Sequence, residues 1–116
     1  MASFIGIDLG TTYSAISYFD KTGVPTIIHN SEGDNITPSC ISFDGDTVDY
    51  TGKEARKELG LSDNVAARFK RDMGNSKIYT INGHKHTPTD LSAIILKRLL
   101  KDSKTVIGDI GGAVVT

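Results

Sequence analysis

A chain of 116 residues with a net charge of −1 amounts to one domain at most. Its 38% hydrophobic and 23% charged residues exclude a disordered chain, and the near-neutral balance offers no special attraction to nucleic acid or to an anionic membrane. Cys40 stands alone, so no internal disulfide is possible, and Met1-Ala2-Ser3 carries neither a basic segment nor a long apolar run; no signal peptide or membrane span is expected, and a reducing, cytoplasmic setting fits.

Phe4, Ile5, Ile7 and Leu9 form one short apolar run, and Ala15, Ile16, Tyr18 and Phe19 form another, which predicts two strands joined by a turn over Leu9 to Thr12. Asp8 then falls at the end of the first strand. Gly10 lacks a Cβ, so backbone amides near it can approach a phosphate, and the Thr11 and Thr12 hydroxyls can donate to phosphate oxygens. Asp8 is a candidate to hold Mg²⁺ through its waters. Glycine and threonine also serve turns for conformational reasons alone, so the turn by itself is a weak signal.

Gly23 to His29 completes a three-stranded meander, and the polar stretch Asn30 to Asn35 predicts a seam. Beyond it, Ile36 to Phe43 is extended, and Asp44-Gly45-Asp46 turns the chain into a strand at Thr47 to Thr51. A short helix follows over 52–60, closed by Gly60. The spacing of Val65, Phe69 and Met73 predicts a second helix over 64–72 with Phe69 anchored in the core and Lys70 turned away from it. Asn82-Gly83 predicts a hairpin that carries His84 and His86; no third ligand lies nearby in sequence to complete a metal site.

The longest helix opens at Thr87-Pro88-Thr89-Asp90, with Thr87 as N-cap, Pro88 at N1 and Asp90 at N3, and buries Leu91, Ile94, Ile95 and Leu99. Lys97, Arg98, Lys101 and Lys104 crowd its second half, where cations suit the helix dipole, and are expected to form a solvated face. The run Gly111 to Thr116 begins a strand and stops, which predicts a truncated piece with an unpaired edge; the Gly111-Gly112 pair reads as a flexible joint and not as a second phosphate loop.

The segment GIDLGTTYS, Gly6 to Ser14, resembles the first phosphate motif of the seventy-kilodalton heat-shock chaperones, members of the actin-like ATPase superfamily. Asn35 to Ser39, Gly52 to Ala55, Ala67 to Gly74 and Leu91 to Leu99 are similar, in the same order, to further segments of that family. The resemblance covers nearly the whole chain. It implies an α/β chain of ribonuclease-H-like (actin-like ATPase) fold, a truncated first lobe with a mixed sheet: 1–34 as the start of subdomain IA, 35–108 as subdomain IB, and 109–116 as the start of a returning IA strand that ends mid-domain. It further implies ATP or ADP with Mg²⁺ as ligands. Gly10, Thr11, Thr12 and Tyr13 would meet the phosphates, Asp8 would hold Mg²⁺ through water, and Lys70 would be the catalytic residue that positions the attacking water and neutralises charge. In the full protein the partners would be unfolded peptides and co-chaperones, with ATP hydrolysis controlling peptide binding.

Departures from the family pattern narrow the expectation. The stretch between Gly74 and Ile78 is short, as in the compact, specialised branch of the family, and the later phosphate and adenosine motifs are absent. The 116 residues alone are therefore expected to bind ATP weakly or not at all, and to self-associate through the strand ending at Thr116. A sugar or small-molecule kinase of the same superfamily would share Asp8, Gly10 and Thr11 but not the FKRDMG pattern of Phe69 to Gly74. A non-catalytic module that keeps only the fold is the third alternative.

Overall fold

In the computed structural model, which describes residues 3–116, the strand β1 (Ser3–Leu9) buries Ile5, Ile7 and Leu9 and leaves Phe4 and Asp8 exposed, the period-two alternation of a sheet with one packed face. The reading of Met1 and Ala2 lies outside the described residues. After β1 come β2 (Tyr13–Phe19), β3 (Pro25–Ile27), β4 (Thr37–Pro38), β5 (Cys40–Asp44), β6 (Thr47–Thr51) and α1 (Lys53–Lys57). The chain continues through β7 (Val65–Ala67), a 3₁₀ turn (Phe69–Asp72), β8 (Tyr79–Ile81), β9 (His84–His86), α2 (Pro88–Ile107) and β10 (Ile110–Val115).

The architecture is mixed α/β. The first sheet runs β10-β1-β2-β3, with β4 also on β2; β1 pairs antiparallel with β2, Asp8 opposite Ala15, and parallel with β10, Ile7 opposite Val115. A parallel partner requires a long crossover, and α2 supplies it. The second sheet runs β6-β5-β7 and the third is the β8-β9 hairpin. The chain changes sheets at Ser39, because β4 belongs to the first and β5 to the second. Where a single extended run over Ile36 to Phe43 was expected, there are two strands.

One core lies under both larger sheets. Leu91, Ile95 and Leu99 of α2 pack there with Ile5, Ile7, Ile16, Ile28, Ile41 and Phe69, each side chain contributing about 1.5–3 kcal/mol by leaving water. Ile94 of the expected stripe is only half-buried. The N-terminus of α2 carries the full capping box: Thr87 accepts from the Asp90 amide and the Asp90 carboxylate accepts from the Thr87 amide.

Two further expectations fail. The segment 64–72 is not a helix: Val65-Ala66-Ala67 pairs antiparallel with Ser42, Ile41 and Cys40, and only Phe69–Asp72 coils, as a single 3₁₀ turn. Open amides and carbonyls on the free edge of β5 offer this segment ladder bonds that a helix would forgo, and Arg68 breaks the strand by adopting φ 57°, ψ 25°. Phe69 still anchors the core at 1% exposure, but Met73 is 43% exposed. Nor is the basic half of α2 wholly solvated. Arg98 lies largely buried, donating to Asp102 at 2.8 Å, to the Thr51 carbonyl at 2.7 Å and to the Ser31 hydroxyl at 3.0 Å, and pairing with Glu32.

Candidate functional site

The turn between β1 and β2 is drawn in so closely at Gly10 that a Cβ there would sit 2.0 Å from the carbonyl oxygen of Tyr13. No other residue fits without moving the backbone. The turn is then fixed from outside. Ser39 donates its hydroxyl proton to the Gly10 carbonyl at 2.9 Å, and its amide donates to the Thr12 carbonyl at 2.9 Å. Because a hydroxyl has one proton, the 2.9 Å contact between Ser14 and Ser39 runs from Ser14 as donor to Ser39 as acceptor. Both serines are almost fully buried, so each bond replaces one that water would otherwise make.

With its backbone held this way, the turn leaves Thr11 half-buried and Thr12 exposed, and neither hydroxyl is bonded to protein among the described residues. Asp8 stands on the open face of the sheet, opposite Ala15, with no ion pair among the described residues. Lys70 arrives from the 3₁₀ turn. Its Nζ donates to the Thr116 carbonyl at 3.4 Å, and that same oxygen accepts from the Leu9 amide at 3.0 Å while the Thr116 amide donates to Ile7. The amine therefore touches Thr116, the residue that follows the strand flanking Asp8. Gly10, Thr11, Thr12, Asp8 and Lys70 are thus gathered at one end of β1. The Tyr13 side chain departs from them: its hydroxyl accepts from Arg56, whose guanidinium lies 4.8 Å from the ring centroid, and it faces an open cleft with Asp34 and Lys53.

This gathering fits a phosphate chain and a hydrated cation: free hydroxyls and a closely approachable backbone for the one, an unpaired carboxylate for the other. Three residues at the turn went unread in the sequence. Ser39 sat in an extended apolar stretch, where a buried hydroxyl implies a partner but does not say which. Arg56 and Arg68 were given no role; both are exposed, and with Thr11, Thr12, Ser39 and Cys40 they line a small cavity of about 60 Å³. Burial pushes the Cys40 thiol up, and the nearby Arg56 and Arg68 charges pull it back. The Gly111-Gly112 pair, expected to be a flexible joint, is part of a paired strand instead. It lies in β10, where the Phe4 ring covers Gly112 so closely that an added Cβ would be 2.6 Å from it. His86 stacks on Phe43 at 4.7 Å between centroids, and His84 faces Asp46 at 3.7 Å.

Residues 4–81 fit the family described as Hsp70 protein. The chaperone protein DnaK of Thermotoga neapolitana is 37% identical over 114 residues, which cover 97% of this chain and 19% of that protein. The chain spans about a fifth of the length of the curated relative it matches. No helix is long and apolar enough to cross a membrane among the described residues.

Proposed function

This chain belongs to the Hsp70 family, and from that membership we propose that it carries the first phosphate-binding segment and the catalytic lysine of an ATP-hydrolysing domain of ribonuclease-H-like fold. Gly10, Thr11, Thr12 and the backbone of Tyr13 hold the phosphates, Asp8 holds Mg²⁺ through its waters, and Lys70 orients the attacking water and offsets charge on the transferred phosphoryl group. When bound, the metal draws charge from the phosphate oxygens. Phosphoryl transfer asks little covalent work of a protein, so a fixed turn and a positioned cation are the contributions that matter. In the full-length protein, nucleotide state would control the holding of unfolded peptides, with co-chaperones as further partners.

The observation that supports this reading most is the meeting of Lys70 with Thr116, which follows the strand beside Asp8, at the end of β1 where the Gly10 turn begins. The decisive experiment is ATP turnover by the full-length polypeptide, with and without an unfolded peptide, and with a sugar as alternative acceptor. Slow hydrolysis that responds to peptide, and a fall of about 10²-fold in kcat for Lys70→Ala with ATP affinity kept, is the expected result. Phosphate appearing on the sugar would establish a kinase instead, and no turnover at all a non-catalytic module.

A further inference from the structure

Of the chain's five asparagines only Asn82 is followed by glycine. The pair forms the exposed turn between β8 and β9, with both residues in the left-handed region at φ 52° and 80°. The Gly83 amide donates to no protein group among the described residues, and a Cβ added at Gly83 would meet nothing within 4 Å. The Asn82 side chain, by contrast, is committed: its Nδ2 donates to the Gly45 carbonyl at 3.1 Å, across 37 positions of sequence. Gly45 lies between Asp44 and Asp46 in the turn from β5 to β6. Nearby, His84 faces Asp46 at 3.7 Å, beyond hydrogen-bonding distance. One side-chain bond thus fastens the tip of one hairpin to the turn of another.

The base of the β8-β9 hairpin is held independently of its tip. Ile81 is buried in the core, His86 stacks on Phe43, and Tyr79 donates to Asp72. A ribbon of only two strands is marginal by itself, so the tip depends on what touches it. The Asn82 bond to Gly45 shifts the closed-to-open ratio of the tip by roughly fivefold, and such contacts open locally while the core stays folded.

We propose that Asn82 is a self-modifying site, whose deamidation unfastens the two turns for good. With the tip open, the Gly83 nitrogen gives its proton to hydroxide and attacks Cγ of Asn82. The bond from Cγ to the side-chain nitrogen breaks, and ammonia leaves with a proton taken from water. The cyclic succinimide so formed takes up one water at either carbonyl and opens to an aspartyl or an isoaspartyl residue at position 82. In sum one water enters and one ammonia departs, with no oxidant or reductant. Glycine suits the step because no side chain shields the attacking nitrogen and the backbone is free to turn. The product carries a carboxylate, an acceptor, where the donor to Gly45 had been, with Asp44 and Asp46 on either side of that carbonyl in sequence, so the bond cannot re-form. The same bond that restrains the amide in the closed turn is therefore the one that the reaction destroys. None of this involves Asp8, Thr11 or Lys70, and it stands apart from the reading of those residues.

The test is a time course of the folded 116-residue chain at neutral and mildly alkaline pH, with its peptides quantified by mass spectrometry and the aspartyl and isoaspartyl forms separated by chromatography. Both forms are expected at position 82, at a rate that rises with hydroxide and well ahead of Asn75, which is equally exposed but followed by Ser76. Asn82→Gly keeps a residue suited to the left-handed turn while removing the amide and its bond together. It should gain no mass in this peptide, and amide hydrogen exchange at Ile81 and His84, the pair that closes the hairpin, should run about fivefold faster than in the parent. The deamidated chain should show the same acceleration. Conversion of Asn82 no faster than that of Asn75, a product that is aspartyl alone, or exchange in the deamidated chain and in Asn82→Gly equal to the parent's would each overturn the proposal.

Discussion

The hydroxyl of Ser39 donates to the carbonyl of Gly10 across 29 positions of sequence, at 2.9 Å. This bond, with the Ser39 amide on the Thr12 carbonyl, ties the turn to the point where the chain passes from the first sheet to the second. Replacing Ser39 by Ala strands the Gly10 carbonyl and the Ser14 hydroxyl in a buried place. A loss of about 1–3 kcal/mol is expected from urea unfolding, together with line-broadening of the Thr11 and Thr12 amides. An unchanged midpoint would show that water takes over both bonds.

Arg98 is the tie between α2, the Ser31-Glu32 loop and Thr51. Its side chain is 12% exposed and that of its partner Asp102 only 5%. Arg98→Ala leaves Asp102 charged and unpaired, which should cost about 3–5 kcal/mol. The double variant Arg98→Met with Asp102→Leu should recover part of that loss, since the deeply buried Asp102 charge is then gone, while the more exposed Glu32 loses its partner. Chemical denaturation of the two variants side by side distinguishes a pairing effect from simple loss of packing.

The capping box of α2 gives a smaller and more local prediction. Thr87→Ala removes the acceptor for the Asp90 amide and should cost about 1 kcal/mol, while Thr87→Ser should cost almost nothing. Thermal melts followed by circular dichroism read both.

Tyr79 donates its hydroxyl to Asp72, and this contact shifts the two groups in opposite directions. The hydrogen bond holds the Asp72 carboxyl below its usual value, so its contribution is present above pH 3.8 and is lost as pH falls through the lower folded value. Burial, and then Asp72, push the Tyr79 phenol up to about 12 from 10.0. Between those values the unfolded chain has already released a proton that the folded chain still holds, so stability must decline as pH rises from 10 to 12. Tyr79→Phe should flatten both flanks. Urea midpoints against pH for parent and variant provide the comparison, and Asp20, whose carboxyl is also held low by Thr22 and Val24, contributes equally to each.

Among the described residues the outer edge of β10 has no partner strand, and Val114 within it is 67% exposed. Exposed apolar edges invite pairing between copies. The 116-residue chain should therefore elute at a size that grows with concentration, and Val114→Lys should hold it at the monomer. A concentration-independent elution of the parent would refute this.

Local chemistry was legible wherever a few neighbouring residues decide the outcome. The alternation through Ile5, Ile7 and Leu9, the box from Thr87 to Asp90, and the Asn82-Gly83 hairpin, with φ of 52° and 80°, are each set by neighbours in sequence. So was the tight turn at Gly10. Tertiary structure alone decided the rest. The four-residue spacing of Val65, Phe69 and Met73 suits a helix, but β5 presented a free edge from far away in sequence, and ladder bonds to it outweighed the local preference. Arg98 reads as one of four basic side chains; only the arrival of Ser31, Glu32 and Thr51 around it makes it a buried tie. The partners of Ser39 and Arg56 are likewise distant in sequence, and a hydroxyl or a charge does not carry in its own position the identity of what it will meet.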